Sequence, residues 1–599
     1  MAKAKKADGE VSLISDNPEI QKPRLTKLII KNYRCIGSTP VEIDLNDIVV
    51  LVGANNVGKS SILKAYELAM SQGSNNANLK IEDFPNNTVD NENLPEIELH
   101  TIVYDNSPGE KWLQVLPSGE SLVRERWIWS GEGKPKREGW DVESSNWNTS
   151  VPWGAPNVAN SRRPEPHRVD AFASPEDQAK EIKDLLMLAL TERVKNLKTA
   201  GQVEGEEEND YRKLLNYVKE LQKKIVSEAQ EQIDAVNLEL TQSIEKVFPN
   251  YKIAFDAKPE DDLDKTINLF KNDGQLLMGP SDGFLSTVDR QGSGARRTLL
   301  WSAIKFISEN KQKTRDDGSP VRPHLLLIDE PEICLHPNAI REACKVLYDL
   351  PNSNNWQVMV TTHSPVFIDF SKDNTTIIKV EKIANGEIKG TTVFRPDKVK
   401  LDKDDKKNLK LLNICDPYVA EFFFGGKVII VEGDTEYTAF NQIKIHKPLE
   451  YKDVHIIRAR GKATIVSLIK VLNHFGSNYS VLHDSDIPRI TTTKGKEMAN
   501  PAWGNNPNIL EAINAKPAGT NTRLLASLPN FEEAYFGEGA ENEKPYNALK
   551  TLETDVDIFN TVETLLKALI DYSQPIPANC AEWTTIEELE TELNKTLNA

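Results

Sequence analysis

The stretch IVVLVGANNVGKSSILKAYELAM, residues 48–70, decides how the rest of the chain is read. An apolar, mostly β-branched run predicts a buried strand, and the segment from Lys59 predicts a helix. Between them Gly53–Ser60 matches GxxxxGK[ST]. The two glycines let backbone N–H groups close around phosphate oxygens, and the helix N-terminus adds a favourable dipole. Lys59 is placed to reach the β- and γ-phosphates, and Ser60 offers a magnesium ligand. The reading assigns Gly53, Asn55, Asn56, Gly58, Lys59, Ser60 and Ser61 to a nucleoside triphosphate, ATP with Mg2+ or Mn2+.

Downstream, Leu325–Glu330 (LLLIDE) is an apolar strand ending in two carboxylates. Asp329 suits the water shell of a magnesium ion, and Glu330 suits polarising an attacking water. The continuation PEICLHP (331–337) and the later TTHSP (361–365) extend the pattern, with His363 expected to contact the γ-phosphate. Together these residues resemble the ABC-type ATPase heads of the SMC, Rad-fifty and RecF group. The resemblance implies that QGSGARR (291–297), opening the helix TLLWSAIKFI, grips through Ser293 and Gly294 the ATP bound by a partner head. It also implies that the KNYR turn (31–34) brings Arg34 near the nucleotide, and that the chain forms a homodimer or higher homo-oligomer.

A second constellation follows. Glu432-Gly-Asp-Thr-Glu436 comes after the apolar run KVIIV, and Asp484-Ser-Asp486 comes after YSVLHD. Each acidic cluster falls at the carboxyl end of an expected parallel strand, where open α/β sheets place their sites. Glu432 and Glu436 face one point if a helix starts there. Asp484 and Asp486 project to one side if the segment is extended. Converging carboxylates with Mg2+ suit phosphodiester hydrolysis. The pattern is similar to a Toprim domain. Topoisomerases of that kind need a tyrosine-bearing DNA-gate domain, and the related primases a cysteine-rich zinc module; neither is found here.

An ABC head with a C-terminal Toprim domain resembles the OLD (overcoming lysogenization defect) nucleases, including the Gabija nuclease subunit and retron-associated effectors. The likeness covers residues 25–70, 285–370 and 415–555, and includes the passage FFFGGKVIIVEG (422–433). It implies that Glu432, Asp484 and Asp486 bind one metal and that Glu436 helps place a second. Glu532, preferred over Glu533, would complete the acidic set, and Lys544 would stabilise charge on the scissile phosphate. Lys462 is a further candidate for holding substrate phosphate.

The fold class expected is α/β: an ABC/SMC-like ATPase head with an inserted helical arm, followed by a Toprim domain built on a parallel sheet. The boundaries are a disordered basic tail (1–24), the head's N-terminal part (25–174), a helical arm (175–247), the head's C-terminal part (248–395), a linker (396–425) and the Toprim domain with C-terminal helices (426–599). The apolar stripe Leu214, Val218, Leu221, Ile225 onward suits either a dimerisation arm or an amphipathic helix on its own domain. Six of the ten tryptophans lie between Trp112 and Trp153. They read as packing for an antiparallel sheet rather than a platform for nucleobases.

At 599 residues the chain exceeds what one core supports. Its net charge of −17 argues against indiscriminate coating of nucleic acid, though Gly426–Phe475 carries eight basic against five acidic residues. Five scattered cysteines support neither a disulfide framework nor a zinc module, so a reducing cytoplasm is expected. The resemblance implies an ATP-hydrolysing, metal-dependent DNA endonuclease in antiphage defence, with a helicase or a retron reverse transcriptase as possible partner. Two alternatives stay open: a Toprim RNase acting on tRNA or other RNA, and an ATP-switched sensor whose acids only bind metal.

Overall fold

The computed structural model describes residues 23–171, 173–195, 217, 220–221, 276–279, 284–308, 322–353, 356–369, 372, 374–382, 388–394, 401–415, 417–424, 426–491, 495–537 and 543–598. Residues 1–22 of the tail expected over 1–24, and most of the arm expected over 175–247 with all of its quoted apolar stripe but Leu221, lie outside them; Arg24 belongs to the first strand, where pairing with Ile102 orders it. The chain divides into two compact units, one of Met1–Phe172 with Lys313–Ala599 and one of Ala173–Gln312.

The first unit begins with an antiparallel sheet. Strands β1 (Arg24–Lys31), β2 (Val41–Asp44), β4 (Glu96–Val103), β6 (Ser121–Ile128), β7 (Lys136–Asp141) and β8 (Asn146–Asn148) run in the order β2-β1-β4-β6-β7-β8, with β5 (Gln114–Val115) on β6. Trp127 and Trp129 are fully buried, and their indole N–H groups donate to Gln72 Oε1 at 3.1 Å and Ala77 O at 3.0 Å. On the other face Arg124 lies over Trp140 and Arg126 over Trp147, each 4.5 Å from the ring centre. These tryptophans therefore pack the sheet and order its basic residues.

Strand β3 (Ile48–Val52) leaves that sheet for a second one. With β9 (Glu165–Val169), β12 (His324–Asp329), β13 (Trp356–Thr361), β14 (Thr375–Lys382) and β15 (Ile388–Phe394) it forms the order β15-β14-β3-β13-β12-β9. All pairings are parallel except β14–β15, an antiparallel hairpin. Strands β3, β12 and β13 are buried along their whole length, as sheets covered on both faces require. Helix Lys59–Met70 follows β3 directly.

The third sheet has the order β17 (Val454–Arg458), β16 (Lys427–Val431), β18 (Tyr479–Asp484), β21 (Thr522–Ser527), β22 (Cys580–Glu582), parallel except for β22. A small hairpin of β19 (Arg489–Thr491) and β20 (Glu497–Ala499) stands beside it. The sequence reading missed β21, because TRLLAS is short and flanked by polar turns. The charged stretch expected as a linker holds helix Lys403–Cys415. Asp405 explains its placement, accepting hydrogen bonds from Ser467 and Lys470 of helix Lys462–His474.

In the second unit, β10 (Leu277–Met278) pairs with β11 (Ser286–Thr287), and helices Pro175–Lys195 and Ser293–Ser308 pack together. Arg296 Nε donates to Gln178 Oε1 at 3.0 Å. The unit reaches beyond the expected arm because that contact draws the Ser293 helix into it. No helix among the described residues is long and apolar enough to cross a membrane.

One buried ion cluster ties the antiparallel sheet to the segment entering β9. Arg163, at 0% exposure, donates to both oxygens of Glu125 at 2.8 and 2.7 Å, and Arg137 lies 3.6 Å from the same carboxylate. Removing one partner of such a set leaves buried charge uncompensated, at a cost of about 3–5 kcal/mol. Glu125→Ala should therefore lower the denaturant midpoint followed by tryptophan fluorescence. Glu120→Ala, at an exposed pair with Arg24, should leave it nearly unchanged.

Candidate functional site

The nucleotide loop is shaped by two close approaches. Gly53 has φ +146°, and a Cβ there would stand 2.3 Å from Val380 O. Gly58 has φ +89°, and its Cβ would meet Cys35 Sγ at 2.5 Å and Ile388 Cδ1 at 2.6 Å. Only glycine satisfies both the left-handed backbone and the contact. Asn55 and Asn56 stand exposed at the tip, Asn56 at φ +59°, and Ser61 N–H donates to Gly58 O at 3.1 Å. Lys59 is buried, and its Nζ donates to Gly53 O at 3.1 Å, Ala54 O at 2.9 Å and His363 Nε2 at 2.8 Å. Burial pushes its amine down to about 8. Lys59 thus holds the loop's own carbonyls where a phosphate would be a better partner.

Asp329 and Thr361 lie side by side at the ends of β12 and β13. The Asp329 carboxylate accepts hydrogen bonds from Ser60 Oγ at 2.9 Å and from Thr361 Oγ1, and Arg168 Nη2 stands 3.7 Å away. Ser60 and Asp329 are therefore presented together, as magnesium ligation requires. Glu330 holds a left-handed backbone, φ +47°, and its N–H donates to Thr361 O and Oγ1, both at 3.1 Å. Burial and the neighbouring Asp329 raise its carboxyl above the usual range. His363 Nε2 is 3.6 Å from Glu330 Oε1, and burial and Lys59 keep its imidazole below its ordinary value.

Three contributors here went unassigned in the sequence. Arg168 arrives on β9, which carries no motif. Thr361 was quoted only as flanking sequence. Glu332 orients the His363 turn, accepting from His363 N at 2.6 Å, Ser364 N at 3.0 Å and Thr362 Oγ1 at 2.9 Å. Arg34 does not stand free beside the loop: it pairs with Asp83 at 2.9 Å, while its neighbour Cys35 packs under Gly58. Ser293 is exposed at the start of its helix, with Gly294 half-buried behind it.

The second site sits where β16, β18 and β21, adjacent and parallel, reach their carboxyl ends. Glu432 follows β16, Asp484 ends β18, and Glu532 follows β21 on helix Phe531–Tyr535. Glu436 joins them from the first turn of helix Asp434–His446. Asp484 N–H donates to Glu432 Oε2 at 3.1 Å, Phe531 N–H to Asp484 Oδ1 at 2.8 Å, and Thr435 Oγ1 to Glu532 Oε1 at 2.7 Å. Burial and the charges of Glu432 and Glu532 push Glu436 up to about 8. Asp484 rises well above its usual range by burial and by Glu436, Glu432 and Glu532. Such a set of uncompensated acids fits a hard divalent cation. No three of these carboxylates bring ligand oxygens within 4.8 Å of one another.

Asp486 departs from the extended geometry expected of it. Its φ is +57°, its N–H donates to Pro529 O at 2.8 Å, and its carboxylate is paired with buried Lys462. The turn moves Asp486 to the rim, and Lys462, expected to meet substrate phosphate, neutralises it instead. Lys544 Nζ is 3.4 Å from Glu532 Oε2. Glu533 is bonded into the Asn530 cap of its helix and exposed, whereas Glu532 is buried in the cluster.

A family model described as an AAA ATPase domain matches residues 24–108 and 173–368. A second, the TOPRIM domain of overcoming lysogenization defect protein-like chains, matches 423–486. The chain is 23% identical over 520 residues to the Old nuclease of Escherichia phage P2, covering 84% of each. It is 22% identical over 550 residues to the OLD nuclease of Thermus scotoductus, covering 89% of this chain and 96% of that one. Among solved structures, the SMC head domain from Thermotoga maritima aligns at TM-score 0.28 and 13% identity, over 62% of this chain and 98% of that one. An Smc head from Pyrococcus furiosus aligns at 0.33 and 15%, over 66% and 99%. At these scores the sheet topology, not the superposition, defines the architecture. An ATPase domain and an OLD-like TOPRIM domain are joined in one chain.

Two outcomes test these sites. Glu330→Gln should retain ATP, read by fluorescent-nucleotide binding, while hydrolysis slows about 10²-fold or more. For Glu436, the folded protein favours the protonated form, so its contribution is most favourable below 4.5 and is lost as pH rises to about 8. In EDTA, the melting temperature of the wild type should therefore fall relative to Glu436→Gln as pH is raised across that window.

Proposed function

We propose that this chain, which joins an ATPase domain to an OLD-like TOPRIM domain, is a divalent-metal-dependent endonuclease that cuts DNA under the control of bound ATP. The observation that carries the proposal is the convergence of Glu432, Glu436, Asp484 and Glu532 from three neighbouring strands, where burial and mutual repulsion raise Glu436 and Asp484. The nuclease names of the two relatives support the same reading.

In this reading Glu432, Asp484 and, from the rim, Asp486 hold one ion, and Glu436 and Glu532 hold a second. Bound Mg2+ or Mn2+ would supply an activated water and neutralise charge at the scissile phosphate. Lys544, at the exposed edge 3.4 Å from Glu532, is assigned to stabilise charge on the scissile phosphate. Thr435 and the Phe531 N–H fix the carboxylate orientations.

At the head, Lys59, Ser60 and Asp329 hold nucleotide and its magnesium, Glu330 positions the water, and His363 reads the terminal phosphate. The exposed Ser293 helix start is assigned to the nucleotide of a second copy, which makes the working unit a homo-oligomer. The role proposed in the cell is that of an effector in antiphage defence.

Purified protein incubated with plasmid and with total tRNA, each with Mg2+ or Mn2+ and with or without ATP, tests the reading. Plasmid cutting should fall at least about 10²-fold in Asp484→Asn. Cutting that survives this change would refute the site. Loss of tRNA with intact plasmid would move the substrate to RNA. No cutting under any condition would leave the metal-binding switch.

A further inference from the structure

We propose that Glu165, His167 and His324 form a separate binding site for a zinc-like divalent transition metal, at the amino-terminal end of β9 and β12. Their ligand atoms all lie within 4.8 Å of one another, the only such set among the described residues. His167 Nε2 is 3.0 Å from His324 Nδ1, and His324 Nδ1 is 3.9 Å from Glu165 Oε2.

Strand geometry makes the cluster. Glu165 and His167 are two apart on β9 and share a face. The parallel register sets His324 beside Glu165 and Leu326 beside His167. Trp356, beside His324 on β13, stacks on His324 with centroids 4.6 Å apart and packs on His167 at 5.1 Å. That indole holds both rings in place, as the outer shell of a metal site does.

Two imidazole nitrogens about 3 Å apart match the separation of neighbouring ligands on one ion with Zn–N bonds of about 2.0–2.1 Å. Without an ion, one ring donates N–H to the other. Ligation needs that ring to move its proton to its other nitrogen, with no net proton release. Glu165, its side chain 41% exposed, supplies the oxygen and a way in. Arg322 Nη1, 3.3 Å from Glu165 Oε2, opposes a cation, but its guanidinium also donates to Arg163 O and Asn160 O. Two nitrogens and one oxygen suit zinc over magnesium.

The site is distinct from the nucleotide magnesium. His324 and Asp329 are opposite ends of β12, about 16 Å apart at 3.3 Å per residue. Its effect would be to clamp β9, an edge strand, to β12. Strand β9 carries Arg168 to Asp329, so the clamp would secure one wall of the ATPase site.

The test uses the full chain, stripped with EDTA, incubated with Zn2+ in excess Mg2+ to fill the oxygen-ligated sites, and gel-filtered before metal counting. Wild type should retain about one more zinc per chain than His167→Gln, in line with a one-ion site. Co2+ in place of zinc should give the visible bands of tetrahedral nitrogen ligation, absent from His167→Gln. If that variant does not fold by circular dichroism, Glu165→Gln replaces it, since its side chain sits at the exposed rim. Equal zinc in wild type and the folded variant, or a cobalt spectrum of oxygen ligation alone, would overturn the inference and leave a hydrogen-bonded histidine pair.

Discussion

The carboxylate of Asp329 ends a strand that is otherwise buried and, after His324, apolar. A charge there is tolerable only when neighbouring elements answer it with donors. Thr361 comes from β13, Ser60 from the helix that follows the phosphate loop, and Arg168 from β9. One charge therefore sets the relative placement of three elements. It also sets the next residue, because Glu330 can hold its left-handed backbone only with its N–H secured on Thr361. The loop, Glu330 and the Thr361 end of the strand leading to the His363 turn all refer back to this contact.

The third sheet uses the same edge of its strands differently. There the acids are answered by few cations: backbone N–H groups and Thr435 orient them, but burial and mutual repulsion leave Asp484 and Glu436 inclined to keep their protons. Lys462 pairs with Asp486 and draws Glu432 down only in part, since burial still holds that carboxyl above its ordinary value. In the first site donors meet the Asp329 carboxylate, and in the second carboxylates face one another.

Helix Lys403–Cys415 stands between the two sheets in the chain. Its Asp405 is buried against Ser467 and Lys470, on the helix that begins at Lys462. Phe394, at the end of β15, stacks on Phe475 at 5.5 Å, and Phe423 meets the same ring edge-on at 4.9 Å. The edge of the ATPase sheet is thus packed on the helix whose first residue holds Asp486. Within the stretch read as a linker, helix Lys403–Cys415 is ion-paired, because Asp405 finds its partners on a helix 62 and 65 residues away.

The phosphate loop, the LLLIDE strand and the acids after KVIIV and YSVLHD were legible by themselves, because strand, loop and helix fix those spacings within one short covalent segment. The parallel third sheet followed from the same alternation. Contacts made by strand pairing were not legible. Arg168 meets Asp329, β21 carries Glu532 to the cluster, and His167 meets His324 across 157 residues, none with a local signature. The extended geometry expected at Asp486 failed for the same reason: Pro529 and Lys462 capture it and turn the backbone. Sequence by itself determined the phosphate loop and the places of the acids at strand ends. The tertiary structure decided which of those charges are paired and which are buried beside one another, because that depends on partners from distant strands.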